Sequence, residues 1–78
     1  MQQYILAFDL GTSGNKAVLY SSNGRVVDSC FESYPTYYPK PGWHEQRPAD
    51  WWNATIRSTQ KLLAKTQINK DAITCISI

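Results

Sequence analysis

The stretch from residue 8 to residue 16 constrains this chain more than any other. An apolar run ends in Asp9, and Leu10, Gly11, Thr12, Ser13, Gly14 and Asn15 follow before Lys16 opens a second apolar run. Residues 4–8 and 16–20 have the length and character that fill buried strands, and the interval between them reads as a tight turn. Gly11 and Gly14 are expected to supply positive φ and to let a ligand approach the main chain, since neither carries a Cβ.

The residue types in this turn fit an anion site. Successive main-chain N–H groups in a turn can converge on an anion, and the Thr12 and Ser13 hydroxyls add donors. Lys16 brings a positive charge to the rim. Asp9, at the carboxyl end of the first run, is placed to hold a hard cation such as Mg²⁺ directly or through water. Together they describe a nucleotide-phosphate site. An ordinary hairpin connection uses the same residues, with Asp9 capping the turn, and chemistry alone leaves both readings standing. The stretch matches neither Gly-x-x-x-x-Gly-Lys-Ser/Thr nor Gly-x-Gly-x-x-Gly, so two common nucleotide fingerprints are excluded.

Further along, Asn23-Gly24 between apolar runs predicts a two-residue type I′ hairpin turn with positive φ at both positions. Residues 25–33 follow as a longer, more polar strand near a sheet edge, completing an antiparallel meander of three strands. From residue 33 to residue 47 three prolines deny the chain regular ladder bonding, and Tyr34, Tyr37, Tyr38 and Trp43 are expected to pack this connection against the body. His44, the single histidine, has no visible partner and reads as a loop residue.

Pro48 suits a first helical position, Asp50 places favourable charge in the first turn, and no glycine or proline follows before residue 66. A helix over 48–66 is therefore predicted, with Trp52, Ile56, Thr59 and Leu63 as its inward stripe and Thr55 and Leu62 beside it. Trp51 and Trp52 read as packing anchors. Residues 69–72 form a turn, and residues 73–78 a fourth strand, which after a crossover helix should run parallel to an earlier strand with right-handed connection. One helix covers only one face of such a sheet, so the chain is expected to be the N-terminal piece of a larger protein.

Composition narrows the function classes. With 78 residues there is room for one small domain, and 42% apolar against 18% charged residues describes a globular chain. A net charge of +2, scattered along the sequence, argues for neither nucleic acid nor an anionic membrane surface. Cys30 and Cys75 have no metal-ligand spacing and read as reduced, buried thiols. The N-terminal apolar run is too short for a signal peptide or a membrane helix, which places the protein in the cytoplasm. The sequon Asn53-Ala54-Thr55 falls inside the predicted helix and reads as chance. Self-association is left open.

Asp9-Leu10-Gly11-Thr12-Ser13-x-x-Lys16 resembles the first phosphate motif of the actin, heat-shock chaperone and sugar-kinase superfamily. Residues 38–52, with Pro41-Gly42-Trp43, Glu45, Pro48 and Trp51-Trp52, resemble the Pro-Gly-Trp-x-Glu-x-x-Pro-x-x-Trp-Trp segment of the FGGY carbohydrate kinases. The two motifs come in the family's order and near its spacing, and the similarity covers nearly all of the chain.

The resemblance implies an α/β fold, the N-terminal part of a ribonuclease H-like (actin-like ATPase) domain. It also implies an ATP-dependent kinase acting on a small sugar or polyol, with Mg²⁺ as cofactor. Asp9 would help organise the metal, Gly11, Thr12 and Ser13 would contact the nucleotide phosphates, and Lys16 would lie near the transferring group. Gly14 stands where some members carry serine, which removes one side-chain donor. The general base is expected downstream of this chain. Xylulose is the first expectation for the substrate, because the Asp-Leu-Gly-Thr-Ser form looks more like xylulokinases than glycerol kinases. A nucleotide-binding or partner-binding module without catalysis is the alternative of a different class; the Pro-Gly-Trp-x-Glu segment argues against a chaperone-like or actin-like ATPase.

Overall fold

Four strands and one long helix make up the chain in a computed structural model that describes residues 2–78. The strands are β1 (Tyr4–Leu10), β2 (Gly14–Ser21), β3 (Val26–Ser33) and β4 (Ile73–Ser77), with α1 (Pro48–Thr66) and a single 3₁₀ turn (Lys70–Ala72) between β3 and β4. β1 pairs antiparallel with β2, and β2 antiparallel with β3. The sheet order is β3-β2-β1-β4. β4 therefore does not extend the meander from β3; it returns past it to lie parallel to β1 at the opposite edge.

Strand alternation sorts the residues onto two faces. Leu6, Phe8, Ala17 and Leu19 point to one side and form the core with Leu62 of α1. The helix lies over β2 and β3. Its buried residues are Ala54, Ser58 and Leu62, spaced by four along one line. This line is rotated from the expected stripe, for Trp52 is 65% exposed and Ile56 38%. The physical reason is distance: small side chains at 54 and 58 let the helix axis approach the sheet, and the bulky stripe is displaced to the flank. There Trp52 and Ile56 border an open apolar groove of about 330 Å³ together with Leu6, Phe8, Ile76 and Ile78.

Along the outer flank of α1, ion pairs tie the helix to the edge strand. Arg57 Nε and Lys61 Nζ stand 3.1 and 3.0 Å from the Glu32 carboxylate, and Lys65 Nζ 3.2 Å from Asp28. At the C-terminus Gln67 adopts φ +56° and its N–H donates to Leu63 O at 2.9 Å, closing the helix with a left-handed residue. Asn69 Oδ1 then accepts from Asp71 N–H at 2.9 Å and caps the 3₁₀ turn.

Several sequence expectations are corrected. The β2–β3 connection, Ser22 to Arg25, is four residues long rather than a two-residue type I′ turn. Gly24 N–H donates to Ser21 O at 2.9 Å, only Gly24 has positive φ (+85°), and Asn23 does not. A type I turn closed by a left-handed glycine satisfies the same strands through a bulge, so Asn-Gly needs only its glycine in the special conformation. Tyr38 and Trp43 are 66% and 56% exposed and do not pack against the body. They pair within their own loop, Tyr38 edge-on to His44 at 5.2 Å and Trp43 under the Lys40 ammonium at 4.7 Å. Both cysteines are free thiols; Cys30 on β3 is half-buried, and Cys75 is exposed because β4 lies on an uncovered edge. Among the described residues no helix is long and apolar enough to cross a membrane.

Candidate phosphate-binding turn

The strands run further toward the turn than the apolar runs suggest. β1 ends at Leu10 and β2 begins at Gly14, which leaves only Gly11, Thr12 and Ser13 between them. Gly11 N–H donates to Gly14 O at 2.9 Å and closes this three-residue connection. Neither Gly11 nor Gly14 has positive φ, contrary to the expectation. Their missing side chains serve different ends. A Cβ on Gly14 would stand 2.4 Å from Phe31 Cζ and 2.5 Å from Glu32 O, so β3 crosses too closely for any side chain there. A Cβ on Gly11 would meet only Gly14 O, at 3.6 Å.

Asp9 and Lys16 are cross-strand partners in the ladder, and Leu10 faces Asn15 beside them. Because Leu6 and Phe8 point toward α1, alternation places Asp9 and Lys16 on the opposite face, where both are exposed. Lys16 is thus a strand residue and not part of the turn. Gly11, Thr12 and Ser13 are likewise exposed. Asp9, the Thr12 and Ser13 hydroxyls and Lys16 take part in none of the ion pairs and side-chain hydrogen bonds around the turn, which leaves a carboxylate, two hydroxyls and an ammonium free within a few residues.

The main chain of the turn is held through its carbonyls. Tyr34 Oη donates to Gly11 O, Gln46 Nε2 donates to Thr12 O at 2.5 Å, and Tyr34 N–H donates to Ser13 O at 3.3 Å. All three acceptors of the connection are therefore engaged by the segment that follows β3, while the N–H groups of Thr12 and Ser13 donate in none of these bonds. Burial, and after it the Asp9 charge, push the Tyr34 phenol above its ordinary value, which keeps it a donor.

Around the turn lie residues to which the sequence assigned no functional part. Asn15, fully buried on the helix side, donates from Nδ2 to Thr55 Oγ1 at 2.9 Å and accepts from Ser58 Oγ at 3.5 Å, fastening the start of β2 to α1. Gln46 Nε2 also reaches Thr36 Oγ1 at 3.0 Å, and Gln46 Oε1 accepts from Trp51 Nε1 at 3.2 Å. Trp51 is thus a hydrogen-bond donor as well as a packing group. Thr12, Gln46 and Trp51 separate two open clefts, of about 440 and 250 Å³. The signal for these residues was the density of polar and aromatic side chains in 34–51, but the partners become visible only when the segment is folded beside the turn.

In that segment Tyr37 and Glu45 exchange main-chain bonds of 2.6 and 2.7 Å and close the proline-rich loop. Arg47 lies over the Tyr37 ring at 3.8 Å, and Tyr37 Oη donates to Asp50 at 2.9 Å. The Asp50 carboxylate is thereby occupied in a structural contact, while Glu45 contributes only its main chain. Among the described residues no group of three or more His, Cys, Asp and Glu is assembled to hold a metal. Mg²⁺ does not require one, since it commonly takes one or two carboxylates and completes its shell with water and substrate phosphates, and the single exposed carboxylate of Asp9 fits that mode.

The N-terminal domain of the FGGY family of carbohydrate kinases matches residues 4–78. A glycerol kinase of Rippkaea orientalis is 40% identical over 76 residues, 97% of this chain and 15% of that protein. A glycerol kinase of Geobacillus kaustophilus is 31% identical over the whole chain and 16% of its own length. Among solved structures, a xyloylose kinase from Brucella ovis superposes with a TM-score of 0.82 at 34% identity, over 97% of this chain and 16% of that one. A gluconate kinase from Lactobacillus acidophilus gives 0.81 at 32% identity, over 99% and 16%. The chain thus spans about one-sixth of the length of these relatives. With a match that runs from β1 through β4 and takes in both the turn at 11–13 and the loop that holds it, the chain belongs to the FGGY family of carbohydrate kinases.

Proposed function

We propose that this chain is the N-terminal portion of an ATP-dependent kinase that phosphorylates a hydroxyl of a small sugar or polyol in the cytoplasm, and that its 78 residues begin a ribonuclease H-like domain. The observation that carries the reading is the turn itself: its three carbonyls are tied back while its hydroxyls and the flanking Asp9 and Lys16 are left unengaged. An ordinary hairpin connection has no need of three separate anchors.

In this reading Asp9 would hold Mg²⁺, which when bound would supply positive charge beside the phosphoryl oxygens. Gly11, Thr12 and Ser13 contact the phosphates through N–H and hydroxyl donors. Lys16 meets the charge that spreads over the transferring group. Phosphoryl transfer leaves the protein little covalent work, so fixed donors and cations carry the catalysis. A general base must still accept the hydroxyl proton. We place it outside these residues: the Asp50 carboxylate accepts from Tyr37 Oη, and Glu45 belongs to the loop that Tyr37 closes through its main chain.

The preference for xylulose is withdrawn: the matching relatives named above are glycerol kinases, and the solved neighbours carry two further names, so the proposal stops at a sugar or polyol. The non-catalytic module has no observation in its favour. The test is a coupled ADP-release screen of the whole gene product against glycerol, gluconate and the ketopentoses, with its intact mass measured alongside. Acceptor-dependent ADP release from a product several-fold heavier than 8.9 kDa is expected. A native product of that small size, or no release with any acceptor, overturns the proposal.

A further inference from the structure

We propose that Gln46 is a positioning residue for the phosphate turn, holding Thr12 so that the turn's N–H groups and hydroxyls stay aimed at the nucleotide. This rests on the reading of the turn as a phosphate site.

The argument is one of donor and acceptor chemistry. The Gln46 amide has three partners: Thr12 O at 2.5 Å, Thr36 Oγ1 at 3.0 Å and Trp51 Nε1 at 3.2 Å. An indole N–H can only donate and a main-chain carbonyl can only accept, so the amide has one permitted orientation, Oε1 toward Trp51 and Nε2 toward Thr12. Trp51 is in turn fixed on α1, and its ring lies 6.5 Å from that of Tyr34, which holds the carbonyls on either side of Thr12. Gln46 is thereby the side chain that connects the turn, the proline-rich loop and the first turns of the helix. The middle peptide of the turn is free to rotate unless something holds its carbonyl, and Gln46 does so. A carbonyl rotated toward a phosphate would repel it, so the loss of this contact falls on anion binding first.

The same chemistry supplies a selective lesion. In Gln46→Glu the carboxylate still accepts from Trp51, and the Thr36 hydroxyl can turn to donate to it. Only the contact with Thr12 becomes acceptor against acceptor. Gln46→Met removes all three bonds at similar volume and serves where the charged variant does not fold.

The experiment uses the whole gene product, titrated by calorimetry with a non-hydrolysable MgATP analogue, with thermal midpoints and the acceptor KM measured in parallel. We expect Q46E to weaken nucleotide binding about tenfold, the scale of one lost and inverted hydrogen bond, while the acceptor KM stays within about twofold. The midpoint of Q46E should fall less than that of Q46M, which loses all three bonds, while both weaken nucleotide binding. If Q46E binds the analogue as the wild type does, or if nucleotide and acceptor constants worsen together in step with the midpoint, Gln46 is a loop staple and the proposal is wrong. If the wild-type protein binds no nucleotide, the phosphate-site reading itself falls, and the positioning role with it.

Discussion

Asp9 and Lys16 face each other across the antiparallel pair of β1 and β2, on the sheet face that α1 does not cover. Directly opposed residues bring their Cβ atoms to about 5 Å, so a carboxylate and an ammonium share one exposed spot at the base of the turn proposed to bind phosphate. They do not close an ion pair, and both heads remain available to a ligand carrying opposite charges, such as a metal-bound phosphate.

Asp9→Ala in the whole gene product is expected to reduce phosphoryl transfer at least about 100-fold, the scale of losing an electrostatic group at developing charge. The fold should be unaffected, because Asp9 is exposed and contributes nothing to the core. ADP release and a circular-dichroism melt of the same sample check both halves. Normal turnover would remove the metal role from Asp9.

Gly14→Ala should destabilise the protein by about 1–3 kcal/mol in urea unfolding. The Phe31 ring, 54% exposed, can swing away from the new methyl, but the Glu32 carbonyl at 2.5 Å belongs to the neighbouring strand and cannot move without opening the sheet. Gly11→Ala, which meets only an ordinary contact, should change stability by less than about 0.5 kcal/mol.

Leu62→Ala removes the helix's one large fully buried side chain from among Leu6, Phe8, Ala17 and Leu19. A loss of about 2–5 kcal/mol is expected in the same measurement, enough to unfold a domain of this size or bring it close to unfolding. Trp52→Ala, at a site 65% exposed, should cost far less despite the larger residue.

Stability should fall once the pH drops below the ordinary carboxylate values. The Ser29 N–H, and after it Lys65, hold Asp28 below its ordinary value of 3.8; Lys61, with burial opposing and Arg57 adding, holds Glu32 below 4.5. The unfolded chain then binds more protons than the folded one, so this contribution is fully present above those ordinary values and is lost as pH falls through the lower folded-state values. Thermal midpoints from pH 7 downward should decline in that window. Glu32→Gln should flatten part of the decline, and high salt should weaken the contribution, since the Arg57, Lys61 and Lys65 partners of these carboxylates are about half exposed or more.

The sequence by itself determined the elements and their chemistry. The apolar runs at 4–8 and 16–20, the more polar run at 25–33, Pro48 at the helix start and the alternating run at 73–78 placed four strands and a 19-residue helix, because each signal is local. Asp9, Gly11, Thr12, Ser13 and Lys16 were legible as a candidate group for the same reason: they follow one another along eight residues. Only the tertiary structure decided how these parts face one another. The helix presents Ala54, Ser58 and Leu62 rather than its larger apolar stripe, because close approach to β2 and β3 favours small side chains, a property of the partner surface and not of the helix. Gly14 is required by the crossing of Phe31 and Glu32, 17 and 18 residues away in sequence, and not by its own φ. Gln46 meets Thr12 across 34 residues, and no pattern within either segment announces that contact. Local periodicity fixes what a segment is; which carbonyl it reaches depends on where the rest of the chain brings it.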